Sequence, residues 1–450
     1  MTAIAEVALL MTEHNSLDRE PLMNMLEETF PWWIQSKPIY TPWNSKGFKK
    51  GSSLIMTVGS GNAQLAASLI VGLRNVLKSK IPIEIAYASN HDLPLPTREK
   101  LRGLGSDIHM IDMTEVFDDD YIRLSRGGYA MKPFAMLASQ YEKTILVDAD
   151  VVFFESPDNL FSTHPGLIDT GTLFYHDRST ALDPGRLNWI KELLEAVHRE
   201  PSPRLSSSPF YNGETSEEAD SGLVAVDKSR PHIFMALMFT AWMNTRVRDQ
   251  VTYQHIYGDK ETYWLAPELM GIPYFFQPYY AGNVGVLIAP EDSDPENLDS
   301  AFDRPRLCSR QMLHMDANGT TPFWVNGGLY FDKAAPHRGY AEWTHWYIGA
   351  PNEILWWTWE VDQYEAQWAC LRPPLPPPPS SSSPDDQNHS VQHTDQSTTS
   401  EKEEEEEAPP RKIKHIQEFS SHMKKVLKLM VFETEKIEGL IPEQGLQEAW

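Results

Sequence analysis

The sequence predicts an α/β protein built on a mainly parallel sheet, and three observations predict it. Residues 53–58 form an apolar run that ends in the turn Gly59-Ser60-Gly61-Asn62. Leu65, Leu69, Leu73 and Val76 then recur at spacings of three and four, the period of a helix with one apolar face. A second apolar run, 83–88, follows, so strand, helix and strand succeed one another within about 40 residues, the signature of a parallel unit.

The other elements extend that frame in both directions. Residues 1–50 read as a lead-in, with a helix over 21–30 and then an aromatic segment carrying Trp32, Trp33 and Trp43. A weaker strand is expected around 108–111. Lys132-Pro133 opens a short helix, because proline's missing N–H has no partner in a first turn anyway. That helix feeds an apolar strand over 144–147, and a second apolar run, 151–154, comes directly after Asp148-Ala149-Asp150. A strand is expected at 223–226, a helix over 231–244, and a late strand and turn over 323–328. Asp259 stands where it would cap a helix starting at Lys260, which Pro267 would kink or end.

These elements bound one domain at 51–371. Residues 372–411 begin with polyproline and end in the acidic block 403–407. Such a composition buries too little apolar surface to fold, so a disordered linker is expected there. Over 412–450 the sequence predicts a basic amphipathic helix, with Val426, Leu429, Met430 and Ile437 available for one face. It either docks on a partner or membrane surface or stays a loosely helical tail.

Composition narrows the class further. A chain of 450 residues has room for one large core or two ordinary ones. A formal charge of −24 argues against nucleic acid, whose binding rests on basic patches. The two cysteines, Cys308 and Cys370, exclude a disulfide framework and a cysteine-based zinc site; one bridge is the most they can form. The N-terminal apolar run 7–11 is far shorter than the roughly 18 residues of a membrane span and lacks a basic flank. Neither an anchor nor a secretion signal is read. Of the two sequons, at Asn318 and Asn388, the first lies close to His314.

The chemistry centres on Asp148 and Asp150. Two carboxylates one residue apart at the mouth of a buried strand are costly unless a cation or a strong hydrogen-bond network meets them. A hard divalent metal carrying a diphosphate would do so, since it prefers oxygen ligands; an acidic strand end facing water is the alternative. Lys132 starts a helix at the same sheet edge, where an ammonium reaches a phosphate or sugar hydroxyl unless it is an ordinary surface lysine. His314 is either a third metal ligand or a packed side chain. Asp220, in Asp220-Ser221-Gly222, sits at another strand edge as an acceptor for sugar hydroxyls. Asp259 is either a helix cap or part of an acceptor site.

In combination these motifs resemble the fungal α-1,3-mannosyltransferases, glycosyltransferase family 71, which have the GT-A fold. The residues that carry the resemblance run from Gly128-Tyr129-Ala130-Met131-Lys132-Pro133-Phe134 through Asp148-Ala149-Asp150 and Ser156-Pro157. They continue with Asp220-Ser221-Gly222, Val226-Asp227-Lys228, Gly258-Asp259-Lys260-Glu261 and Asn326-Gly327-Gly328, covering roughly residues 50–335. Glycogenin-like transferases are a more distant resemblance, although Thr321 stands where their lysine precedes the Pro-Trp motif.

The resemblance implies a retaining transfer of mannose from GDP-mannose to a mannose hydroxyl on a glycan or glycoprotein, with Mn²⁺ or else Mg²⁺ as cofactor and a Golgi location. It implies that Asp148, Asp150 and His314 hold the metal, and that Gly59, Gly61, Lys132, Asp148, Asp220 and Gly222 bind the donor. Asp220, Asp259 and Lys132 would be the catalytic set. Competing readings are another nucleotide sugar, an aspartate-based phosphatase built on Asp148-x-Asp150, or a carbohydrate-binding protein using Trp324, Trp343, Trp346, Trp356 and Trp357.

Overall fold

The computed structural model describes residues 20–32, 47–126, 128–178, 183–288, 306–355, 357–361, 367–371 and 416–441. The expected segments around Trp33 and Trp43 and over 372–411, with Asn388, lie outside them.

Among the described residues two sheets form. The first has the order β3-β2-β1-β4-β7-β6-β8. Its strands are β1 (Lys49–Thr57), β2 (Ile83–Tyr87), β3 (Ile108–Asp112), β4 (Tyr141–Val147), β6 (Thr172–His176), β7 (Ala219–Asp227) and β8 (Phe276–Tyr280). β1 is parallel to β2 and β4, β2 to β3, and β6 to β8, while β7 runs antiparallel to both neighbours. The expected α/β class with a mainly parallel sheet is borne out.

Both faces of this sheet are covered, which is why its strands read as apolar runs and not as alternating patterns. Leu54 and Ile145 enter one core with the helix Ala63–Val71, whereas the next residues, Ile55 and Leu146, enter the other. That second core is closed by the helices Met131–Ala138, Pro231–Met243 and Thr262–Met270. The lead-in helix Glu20–Thr29 delivers Trp32 to the same core, where its ring meets Phe117 and Phe134 edge-on at 5.6 and 5.0 Å.

The second sheet was not anticipated. It follows the path β14-β15-β10-β9-β11-β12-β5, with β13 on β9 and β16 on β13. The strands are β5 (Val151–Phe153), β9 (Gly282–Ile288), β10 (Arg306–Ser309), β11 (Met312–Met315), β12 (Pro322–Asn326), β13 (His345–Tyr347), β14 (Trp357–Val361), β15 (Gln367–Leu371) and β16 (Gln417–Glu418). The expected run after Asp150 is therefore not a continuation of β4. It leaves the first sheet and pairs antiparallel with β12. Cys308 and Cys370 face each other across β10 and β15 and form a disulfide.

Two expectations are corrected. The helix expected from Lys260 starts at Thr262 with Glu261 at its N-cap, and Pro267 lies inside it without ending it. Asp259 caps nothing with its side chain; only its backbone carbonyl accepts from Thr262 N at 2.9 Å. The C-terminal helix, Ser421–Glu435, is neither loose nor turned to an outside surface. Ser420 caps it, and Met423, Val426, Met430 and Thr434 are buried at spacings of three and four. Met430 lies 3.7 Å from where a Cβ on Gly72 would stand, Asn75 donates to Glu433 at 2.8 Å, and Phe419 meets Phe154 edge-on at 5.6 Å. Leu429, expected on the apolar face, is 41% exposed.

Candidate functional site

Asp148-Ala149-Asp150 is the link along which the chain passes from β4 to β5, that is, from one sheet to the other. The backbone locks this link at three points. Asp148 N–H donates to Gly222 O at 2.9 Å, Val151 N–H to Asp148 O at 3.1 Å, and Gly327 and Gly328 N–H to Asp150 O at 3.2 and 2.6 Å. The two glycines hold φ of +118° and +80°, conformations that L side chains rarely adopt.

Lys132 reaches this link from the first turn of its helix. Its Nζ lies 2.7 Å from Asp148 Oδ1, 3.3 Å from Ser221 Oγ and 3.7 Å from Asp259 Oδ1, and its side chain is 7% exposed. It is a buried counter-charge and not a surface lysine. Burial alone would lower its pKa, but Asp148, Asp259 and Asp220 outweigh that and hold it above the ordinary lysine range. Asp150 pairs with Lys333 at 2.6 Å. Burial pushes the Asp148 carboxyl up to about 6, against the pull of Lys132 and helped by Asp150.

Asp220 opens β7 on the other side. His314 Nε2 is 2.9 Å from its Oδ2, Gly222 N–H donates to Oδ1 at 2.8 Å, and the Asn326 amide spans both oxygens at 3.0 and 3.2 Å. Burial would raise this carboxyl, but His314, Gly222 and Asn326 bring it down to about 2. His314 is itself stacked on Trp324 at 4.0 Å and edge-on to Tyr175 at 5.3 Å. A side chain on Gly222 would come within 2.7 Å of the Asn326 amide and 3.0 Å of Trp324. Asp259, buried behind Lys132, accepts from Ser221 Oγ at 3.4 Å, and the Tyr263 hydroxyl faces the same carboxylate. Its carboxyl is raised by burial, with Lys132 and then Tyr263 pulling the other way.

Lys132, Asp148, Asp150, Asp220, Gly222 and Asp259 thus meet as a connected group. Gly59 and Gly61 lie at the same sheet edge, since β1 pairs Ile55 with Leu146 and so brings Thr57 level with Asp148. Gly59 packs closely there: a Cβ would fall 2.3 Å from Asp92 Oδ1, so the Asp92 carboxylate would have to move. His314, expected as a third metal ligand, turns its Nε2 to Asp220, and among the described residues no group of three His, Cys, Asp or Glu side chains is arranged to hold a metal ion. Its strand, β11, belongs to the second sheet and turns the ring onto Trp324 of β12. The sequence reading also missed Lys333, Asn326 and Ser221 as site residues. Asn326-Gly327-Gly328 was a visible signal; nothing in the spacing marks Lys333.

The family described as "Mannosyltransferase putative" matches residues 51–316, more than half of the chain. Alpha-1,3-mannosyltransferase MNT3 of Saccharomyces cerevisiae is 26% identical over 318 residues, covering 64% of this chain and 48% of that protein. Alpha-1,3-mannosyltransferase MNN1 of the same yeast is 24% identical, covering 66% and 43%. The chain spans about half the length of the curated relatives it matches. Among solved structures, core-mannan synthase A (CmsA/Ktr4) from Aspergillus fumigatus, in its Mn/GDP form, overlaps 53% of this chain and 74% of its own, at 14% identity and a TM-score of 0.35.

Proposed function

This chain belongs to that mannosyltransferase family, and we propose that it transfers mannose from GDP-mannose to a mannose hydroxyl, with retention and an α-1,3 linkage. The observation that carries the reading is the pairing of buried Lys132 with half-buried Asp148 beside Asp150, at the carboxyl edge of the sheet where the chain crosses between layers. Ligands of α/β sheets bind at that edge. Two carboxylates one residue apart offer the oxygen donors that Mn²⁺ or Mg²⁺ takes, so Asp148 and Asp150 fit a divalent cation. When bound, that cation would neutralise the charge building on the leaving diphosphate.

The chain's own residues supply the rest. Lys132 and Lys333 bring two further positive charges to the diphosphate, and the turn at Gly59 and Gly61 lets backbone approach the nucleotide. Asp220, kept ionised by His314, Asn326 and Gly222, sets a fixed negative charge to stabilise the positive anomeric centre in the transition state. Asp259, buried behind Lys132 with 3.7 Å between its Oδ1 and the ammonium, helps hold that charge in place. The disulfide between Cys308 and Cys370 supports action in an oxidising secretory compartment such as the Golgi lumen. No helix among the described residues is long and apolar enough to cross a membrane.

Asp150→Ala is expected to abolish Mn²⁺-dependent mannosyl transfer from GDP-mannose. Near-normal transfer by that variant would overturn the reading, and a preference for a UDP-sugar would overturn the mannose assignment.

A further inference from the structure

Tyr257 is a large aromatic side chain 58% exposed, and it stands two residues before Asp259. Its ring offers an apolar face with a polar tip, and through its neighbour Tyr129 it lies close to Lys132 of the polar group. Its position is held from three directions. Tyr129 packs beside it, with ring centroids 5.7 Å apart and hydroxyls 3.3 Å apart. Gly258, at φ +65°, makes the turn that presents it; a Cβ on Gly258 would come 3.2 Å from the Tyr129 ring. Lys260 places its ammonium 5.9 Å from the Tyr257 centroid.

The two tyrosines bridge two charged centres. On one side Lys132 Nζ, the partner of Asp148, lies 5.7 Å from the Tyr129 centroid. On the other, Lys260 makes ion pairs of 2.7 Å with both Asp177 and Glu217, which leaves one of its three N–H groups beyond those pairs. An exposed aromatic ring with an ammonium near it, beside the lysine assigned to the donor diphosphate, is the chemistry that holds a pyranose: C–H bonds on the ring, a hydroxyl on the ammonium.

We propose that Tyr257 is the platform on which the acceptor's pyranose ring stacks, with Tyr129 holding the platform in place and Lys260 donating to a hydroxyl at its edge. The inference rests on the glycosyl-transfer reading and assigns its second substrate.

The test uses the full chain with Mn²⁺, GDP-mannose and methyl α-mannoside, comparing Tyr257→Ala with Tyr257→Phe. Truncation of so exposed a side chain leaves folding intact. Tyr257→Ala is expected to raise the acceptor KM about tenfold while the KM for GDP-mannose stays within twofold, the loss of one stacked ring. Tyr257→Phe, which keeps the ring, is expected to restore the acceptor KM to within threefold of wild type. An unchanged acceptor KM in Tyr257→Ala, an equal rise in both KM values, or a Phe variant as impaired as the Ala variant would each overturn the platform. Failure of the underlying reading shows differently: the wild-type chain would transfer no sugar from any nucleotide donor.

Discussion

Asp148 must be ionised to hold a cation, and burial pushes its carboxyl up to about 6. On the proposed reading, a proton below that pH would occupy the oxygen a metal takes, and its loss above that pH would free the site. Mn²⁺ affinity, followed by the paramagnetic signal of the free ion, is therefore expected to strengthen as pH rises from about 5 to 7 and then level off. Lys132 pulls that carboxyl down, so Lys132→Met is expected to move the rise to higher pH; a shift to lower pH would contradict the assigned pairing. The aspartate pair and Lys132 were legible because a charge beside a buried strand demands a partner. Lys333 was not, since its pairing with Asp150 spans 183 positions and follows from how the second sheet folds back.

The C-terminal helix shows how burial, and not propensity, sorts an amphipathic segment. Met430 is 3% exposed and Leu429 is 41% exposed, although both are apolar neighbours. Met430→Ala is expected to cost about 2–3 kcal/mol, the usual loss for emptying a packed site, and Leu429→Ala less than about 0.5 kcal/mol. Chemical denaturation of the two variants checks this, and equal effects would mean the helix does not dock as seen. The helix itself was readable from its spacing, but its partner, the helix Ala63–Val71 with its π-helical continuation Gly72–Val76, was not. β6 was missed for a different reason. Thr172–His176 is buried along its whole length, but its ends are the polar Thr172 and His176, which leaves Leu173–Tyr175 as an apolar run too short to mark a strand.

At the scale of the whole molecule, the disulfide ties β10 to β15 across 62 positions and pins the second sheet one strand in from its β14 edge. Cys308→Ser is expected to lower stability by about 2–4 kcal/mol, and reductant is expected to do the same to wild type but nothing further to the variant. Denaturation midpoints with and without reductant measure it. The amino-acid sequence by itself determined the α/β class, the parallel core strands and most of the polar group, because apolar period and the expense of buried charge are local properties. Only the tertiary structure decided that the chain crosses to a second sheet after Asp150. It alone turned His314 toward Asp220 and brought the C-terminal helix home. Those outcomes depend on contacts between residues far apart in the chain, which no local pattern records.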